Sequence, residues 1–225
     1  LGLDEPAAVE TINADGGGNA VLVCDHASNR VPDRLGTLGL EPALLADHIG
    51  WDPGAALVAR RLAVHLGSPL VLSGYSRLVI DCNRPLGHAE SIAERSAGVS
   101  IPGNLGLSPL ERSIRIDALF RPYHDAIAGL LDRRSHRPTL LISIHSFTPV
   151  WSGRIRTMDI GVLYNPYEAV AKRMANELQK EHFETALNEP YSAQDGLTYS
   201  VDRHGQAHNL VYLELEINQS LVATA

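Results

Sequence analysis

Apolar and polar positions fall into blocks of two different periods along this chain. Residues 20–26, AVLVCDH, stay apolar through Cys24 and turn polar at Asp25 and His26, which predicts a buried strand. Residues 139–147, TLLISIHSF, are too apolar for a sheet with one wet face, and they end on His145 and Ser146. Further strands are predicted at 158–165 and 209–217, and one or two around Gly74 within 69–83. Between these blocks the period lengthens. Leu57, Val58, Arg61, Leu62 and Leu66 predict a helix over 54–67, and Val170, Met174 and Leu178, four apart, predict one over 167–182. A third covers 108–134. It opens on Ser108, Pro109 and Glu111, a capping box with proline at the first helical position, and Pro122 should kink or split it.

Strands separated by helices, several of them nearly all apolar, predict a three-layer α/β/α sandwich with a mixed, mostly parallel central sheet. The glycine-rich ADGGGN at 14–19 marks residues 1–18 as a flexible lead-in, with a single domain over 19–225. Active sites in such folds collect at the carboxyl ends of strands. A histidine that ends a buried strand therefore stands where chemistry is expected.

Composition narrows the partners. The 225 residues carry 26 acids against 19 bases, a net charge of −7, which argues against a general nucleic-acid binder. No apolar run approaches the ~20 residues that cross a bilayer. No secretory signal is visible, although the chain opens on Leu1 and its true start is open. Cys24 and Cys82 lie in apolar contexts and fit a reducing, cytoplasmic setting better than a disulfide framework. Oligomeric state is not encoded in any visible pattern.

The strand ends supply the candidate chemistry. Asp25 and His26 end the first strand and His145 ends another, while Glu214 and Glu216 share one face of the last. Two carboxylates on one face are costly to bury unless paired, and an edge strand would leave them solvated. Asp47, His48 and Asp52 precede the 54–67 helix, where Asp52-Pro53 also reads as a helix cap followed by proline. A catalytic zinc takes three protein ligands and keeps one position for water. His26, His145 and a carboxylate could supply them, with Glu216 or Glu214 as base. Arg77, Asn83 and Arg84 in YSRLVIDCNRP, and Arg154 and Arg156 after the His145 loop, suit an anionic small molecule, with an internal Asp81–Arg salt bridge as the structural alternative. Gly153 would let that loop pass close to a ligand. His65, His88, His124, His136, His182 and His208 read as surface, loop or helix residues.

Together VCDHASNRVP, HIGWDPGA, YSRLVIDCNRP, SIHSFTP and LELEINQS resemble the N-formylglutamate amidohydrolase family, over about residues 20 to 222. The resemblance implies a phosphorylase/hydrolase-like sandwich similar to the zinc-dependent exopeptidases. It implies Zn2+, or another divalent metal, on His26 and His145. Zinc carboxypeptidases use HxxE, but Asn29 stands at that Glu position and falls to the substrate-binding set. By a more distant analogy to bacterial cell-wall amidases, Asp52 is the third ligand, with Asp47 as the alternate. Glu216 fits the final E-I-x-Q element as general base, with Glu214 as the alternate, and Asn218 replaces an arginine found there in many relatives. Arg77, Asn83, Arg84, Arg154 and Arg156 inherit the grip on substrate carboxylate, and His204 is placed beside the site as a second catalytic residue, to polarise the carbonyl or to hold a carboxylate. The implied reaction is hydrolysis of a small N-acyl amino acid, by default N-formyl-L-glutamate to formate and glutamate. A non-catalytic sensor of an acidic metabolite and a cell-wall peptide amidase are the alternatives.

Overall fold

The apolar blocks assemble into one seven-stranded sheet. A computed structural model describes residues 1–222, so the last three residues of the expected 19–225 domain lie outside it. Numbered in chain order, the strands are β1 (Val9–Ile12), β2 (Ala20–Cys24), β3 (Leu70–Ser73), β4 (Leu140–Phe147), β5 (Ile160–Leu163), β6 (Thr185–Leu187) and β7 (Val211–Asn218). Their spatial order is β1-β3-β2-β4-β7-β5-β6. The β3–β2, β2–β4, β4–β7 and β5–β6 pairs are parallel, and β1–β3 and β7–β5 are antiparallel. The expected mixed, mostly parallel sheet is thus present.

Alternation along the strands divides the core into two layers. On one face Leu22, Cys24, Leu70, Leu72, Ile142 and Ile144 pack on α1 (Ala55–His65) through Ala55, Ala59 and Ala63, whose four-residue spacing makes a flat stripe on which the helix lies close. On the other, Val21, Val23, Val71, Leu141 and Tyr212 pack on Tyr123, Ile127, Leu130 and Val201. These come from α3 (Arg121–Asp132), which follows α2 (Pro109–Arg115), and from α5 (Tyr199–Ala207). The helix α4 (Glu168–Lys180) covers β5 and β6 through Ala171 and Ala175.

Residues 9–12 lie within the expected flexible lead-in but form an edge strand on β3. Glu10 on that strand accepts two hydrogen bonds from Arg60, and Arg134 and Arg137 donate to the carbonyls of Gly16, Gly17 and Gly18, so the glycine run is held by guanidinium groups. Residues 75–83 form no second strand. Their carbonyls are taken by side chains instead, with Asn104 donating to Leu78 O at 2.9 Å and buried Arg115 to Val79 O at 3.0 Å. The expected split of the helix falls just ahead of Pro122. A single wide turn at Ile116–Phe120 joins α2 to α3, with the Arg121 N–H reaching back to Ile116 O, and it absorbs a proline that has no N–H of its own. Finally, β7 is no edge strand: it lies between β4 and β5, and Glu214 and Glu216 are buried.

Candidate metal centre

Register brings the chemistry together. In the parallel β4–β7 pair His145 lies opposite Glu216 and Ser143 opposite Glu214, and Ser143 also lies opposite Val23 of β2. Every second residue of these strands faces α3 and α5, so Asp25, Ser143, His145, Glu214 and Glu216 share the sheet face on which Val23, Leu141 and Tyr212 meet those helices. Asp52 arrives from the loop before α1, anchored by its N–H to His26 O at 3.0 Å. It is not the helix cap. That position belongs to Gly54, at φ 82°, where a side chain would be strained and a Cβ would meet Val222. The Asp52 carboxylate is thereby free to turn inward.

Two imidazoles and one carboxylate converge. Asp52 Oδ2 lies 2.8 Å from His145 Nδ1 and 3.4 Å from His26 Nδ1. The outer nitrogens face buried carboxylates: His26 Nε2 is 2.7 Å from Asp81 Oδ1, and His145 Nε2 is 3.1 Å from Asp25 Oδ2. An ionised carboxylate only accepts, so each outer Nε2 donates, and in a neutral ring each Nδ1 then presents a lone pair towards Asp52. Two lone pairs and a carboxylate oxygen pointing at one another call for a cation between them, either protons on the rings or a metal ion. A histidine with its far N–H on a carboxylate is the usual arrangement of a metal ligand. The ligand atoms of His26, Asp52 and His145 all lie within 4.8 Å of one another, as do those of His145, Glu214 and Glu216. The donor set fits a divalent ion such as zinc.

Charge balance points the same way. Burial would raise the Asp25 carboxyl, but the hydrogen bond and charge of His145 and the charge of His26 hold it well below the usual range. Burial likewise opposes ionised Asp52 and Asp81, and the facing histidines outweigh it, helped at Asp81 by Arg77. His145 would be pushed down by burial, yet Glu214, Asp25 and Asp52 carry it well above an ordinary imidazole. Burial raises Glu214 to about 7 and holds Glu216 well above a normal carboxyl. Glu216 Oε2 is buried with no hydrogen-bond partner among the described residues. Such an orphan oxygen at a cavity wall is free to act on a water or a substrate.

The cluster forms the floor of a cavity of about 370 Å3, whose wall includes His48, Arg77, Asn83, Arg84, Trp151 and Tyr191. Arg77 donates to Asp81 at 2.9 Å and lies 3.6 Å from Asp52. Asn83 donates to Leu197 O and Glu214 and accepts from the Ser200 N–H. Arg84 donates to Asn83 O, and its Nε to Glu90 at 2.9 Å.

Of the residues expected from the sequence, His26, Asp52, His145, Glu214, Glu216, Arg77, Asn83 and Arg84 line this cavity. Asp47 does not: it is exposed and accepts from His48. Asn29 is half-buried and off the wall. Arg154 is exposed on a hairpin of Val150–Trp151 and Arg154–Ile155, and Arg156 stands just behind the wall among Phe147, Trp151 and Tyr191. Gly153, with Ser152 also at positive φ, makes the tight turn of that hairpin, whose Trp151 lines the cavity. His204 is buried against His124, between α5 and α3 and away from the cavity, and His124 is a buried helix residue. Asn218 holds the main chain at Arg156 and Met158. Sequence reasoning missed the structural roles of Asp25 and Asp81 and missed Tyr191 altogether. The aspartates sat next to recognised positions and were readable as orienting groups; nothing in the sequence around Tyr191 points to the site.

The family model for N-formylglutamate amidohydrolase matches residues 18–223. The crystal structure of an Agrobacterium tumefaciens gene product is similar at 37% identity with a TM-score of 0.93, covering 97% of this chain and 87% of that one. The crystal structure of an N-formylglutamate amidohydrolase from Ralstonia eutropha shares the fold at 18% identity and a TM-score of 0.67, over 96% of this chain and 87% of that one. Among curated proteins no sequence matches. A match to the family model that runs through every strand and helix bearing the cluster means that this chain belongs to the N-formylglutamate amidohydrolase family.

Proposed function

We propose that this chain is a metal-dependent amidohydrolase of a small N-acyl amino acid, with N-formyl-L-glutamate as substrate and formate and glutamate as products. The observation that carries the proposal is the convergence of His26 Nδ1, His145 Nδ1 and Asp52 Oδ2, backed by Asp81 and Asp25, beside the unpartnered carboxyl of Glu216. His26, Asp52 and His145 would hold the metal. A divalent ion there would supply Lewis acidity, lowering the pKa of a bound water and polarising a carbonyl. Asp81 and Asp25 keep both imidazoles turned with Nδ1 inward.

Glu216 moves the proton. As water attacks the formyl carbon, Glu216, ionised once a bound cation offsets the burial that raises its carboxyl, would take one of the water's protons and return it to the amide nitrogen as the C–N bond breaks. Glu214 lies 3.5 Å from His145 Nε2 and is tied to Asn83, which suits it to support rather than to proton transfer. Arg84, with Asn83 and Arg77, would orient the substrate carboxylates at the mouth.

Two substitutions separate these roles. Glu216→Gln should retain the metal and lose about 100- to 10,000-fold in kcat, the usual worth of a general base. His145→Ala should lose metal and turnover together. Metal content by atomic emission alongside formate release reads both. A Glu216→Gln protein with wild-type kcat would overturn the assignment of the base.

A further inference from the structure

The cavity holds a donor that the mechanism above leaves unused. Tyr191 lies on the wall, and Arg156 Nη1 donates to its phenolic oxygen at 3.4 Å while the guanidinium sits 5.1 Å from the ring centroid. Arg156 is fixed in turn by the carbonyl of Thr148 and by the rings of Phe147 and Trp151, at 5.6 and 5.5 Å. A phenolic oxygen that accepts from a guanidinium must turn its own proton elsewhere. Among the described residues no hydrogen bond takes that proton. Three other donors on this wall are committed, Arg77 to Asp81, Asn83 to Leu197 O and Glu214, and the Ser146 hydroxyl to Pro53 O, whereas His48 Nε2 is buried without a partner among the described residues.

We propose that Tyr191 is a catalytic residue whose O–H donates to the carbonyl oxygen of the scissile amide as that oxygen becomes an oxyanion, with Arg156 as the positioning residue that aims it. The proposal rests on the amidohydrolase reading. A fixed donor aimed at developing charge is worth more in the transition state than in the ground state, because it is already oriented when the charge appears. Burial keeps the phenol protonated, hence a donor, at neutral pH. The hydrogen bond from Arg156 draws charge from the oxygen and makes the remaining O–H a stronger donor.

Tyr191→Phe removes the hydroxyl and keeps the ring under Arg156, so the hairpin packing survives. The expected result on metal-loaded protein is a fall in kcat of about 100-fold with KM changed by less than about threefold. Affinity for N-phosphono-L-glutamate, whose tetrahedral oxyanion imitates the intermediate, should fall by a similar factor in calorimetry. Metal content and the affinity for glutamate should not change. Unchanged kcat and unchanged phosphoramidate affinity would overturn the role of Tyr191 alone, as would a rise in KM at constant kcat. If the wild-type protein neither releases formate nor binds the phosphoramidate, the amidohydrolase reading fails and this proposal with it. If it binds without turnover, the affinity of Tyr191→Phe decides.

Discussion

Arg84 shows how charge is apportioned at the scale of single residues. Its Nη1 donates to the Asn83 carbonyl, and its Nε is held by Glu90, which is exposed at the cavity mouth. Glu90 occupies the edge that an incoming carboxylate would use. Glu90→Gln should therefore lower KM for an anionic N-acyl amino acid by about two- to fivefold, the scale of an exposed ion pair, and leave kcat unchanged. Steady-state kinetics in low salt would check it, and an unchanged or raised KM would remove Arg84 from the substrate grip. The positions that sequence alone made legible were those at strand ends: His26, His145 and Glu216 each end or nearly end an apolar run, where an ionisable group is conspicuous. Asp52 was ambiguous because Asp-Pro before a helix is also a cap signal, and only the positive φ of Gly54 resolves it. Tyr191 was invisible because it comes from an irregular segment with no periodicity, brought to the wall by tertiary packing alone.

Elements carry their own titration. His124 on α3 donates through Nε2 to Cys82 O at 3.1 Å, which leaves Nδ1 to accept from His204 Nε2 of α5 at 2.9 Å. Burial, then Arg203, lowers His124 to about 4; burial, then His124, lowers His204 to about 3. Both are neutral in the fold. In the unfolded chain each takes a proton near its ordinary 6.5, so the stability they contribute is full above that value. It falls steadily as the pH drops from about 6.5 through about 4 and about 3. Melting temperatures between pH 7 and 4.5 should decline in the wild type, and less steeply in His124→Gln, which can keep both hydrogen bonds without the charge. Equal slopes would show that the pair is not held neutral. Most elements were readable because strands and helices of this sheet have clean periods. At 9–12 and 75–83 the local pattern did not decide the structure; partners distant in sequence did, Ser73 to Leu70 in the first case and the side chains of Asn104 and Arg115 in the second.

The whole molecule is a sandwich whose central strands and the loops at their ends hold five buried carboxylates, at Asp25, Asp52, Asp81, Glu214 and Glu216, around two imidazoles and one guanidinium. So many buried acids are costly unless a cation shares them. Family membership and the position at the carboxyl ends of β2, β4 and β7 make that cation part of an amide-hydrolysing centre in our account. The measurement that tests this most directly is formate release from N-formyl-L-glutamate by zinc-loaded protein, by the same protein after chelation, and after zinc is restored. The account predicts release that is lost on chelation and regained with zinc. Release that persists at the same rate in metal-free protein, or none in any sample, would contradict it.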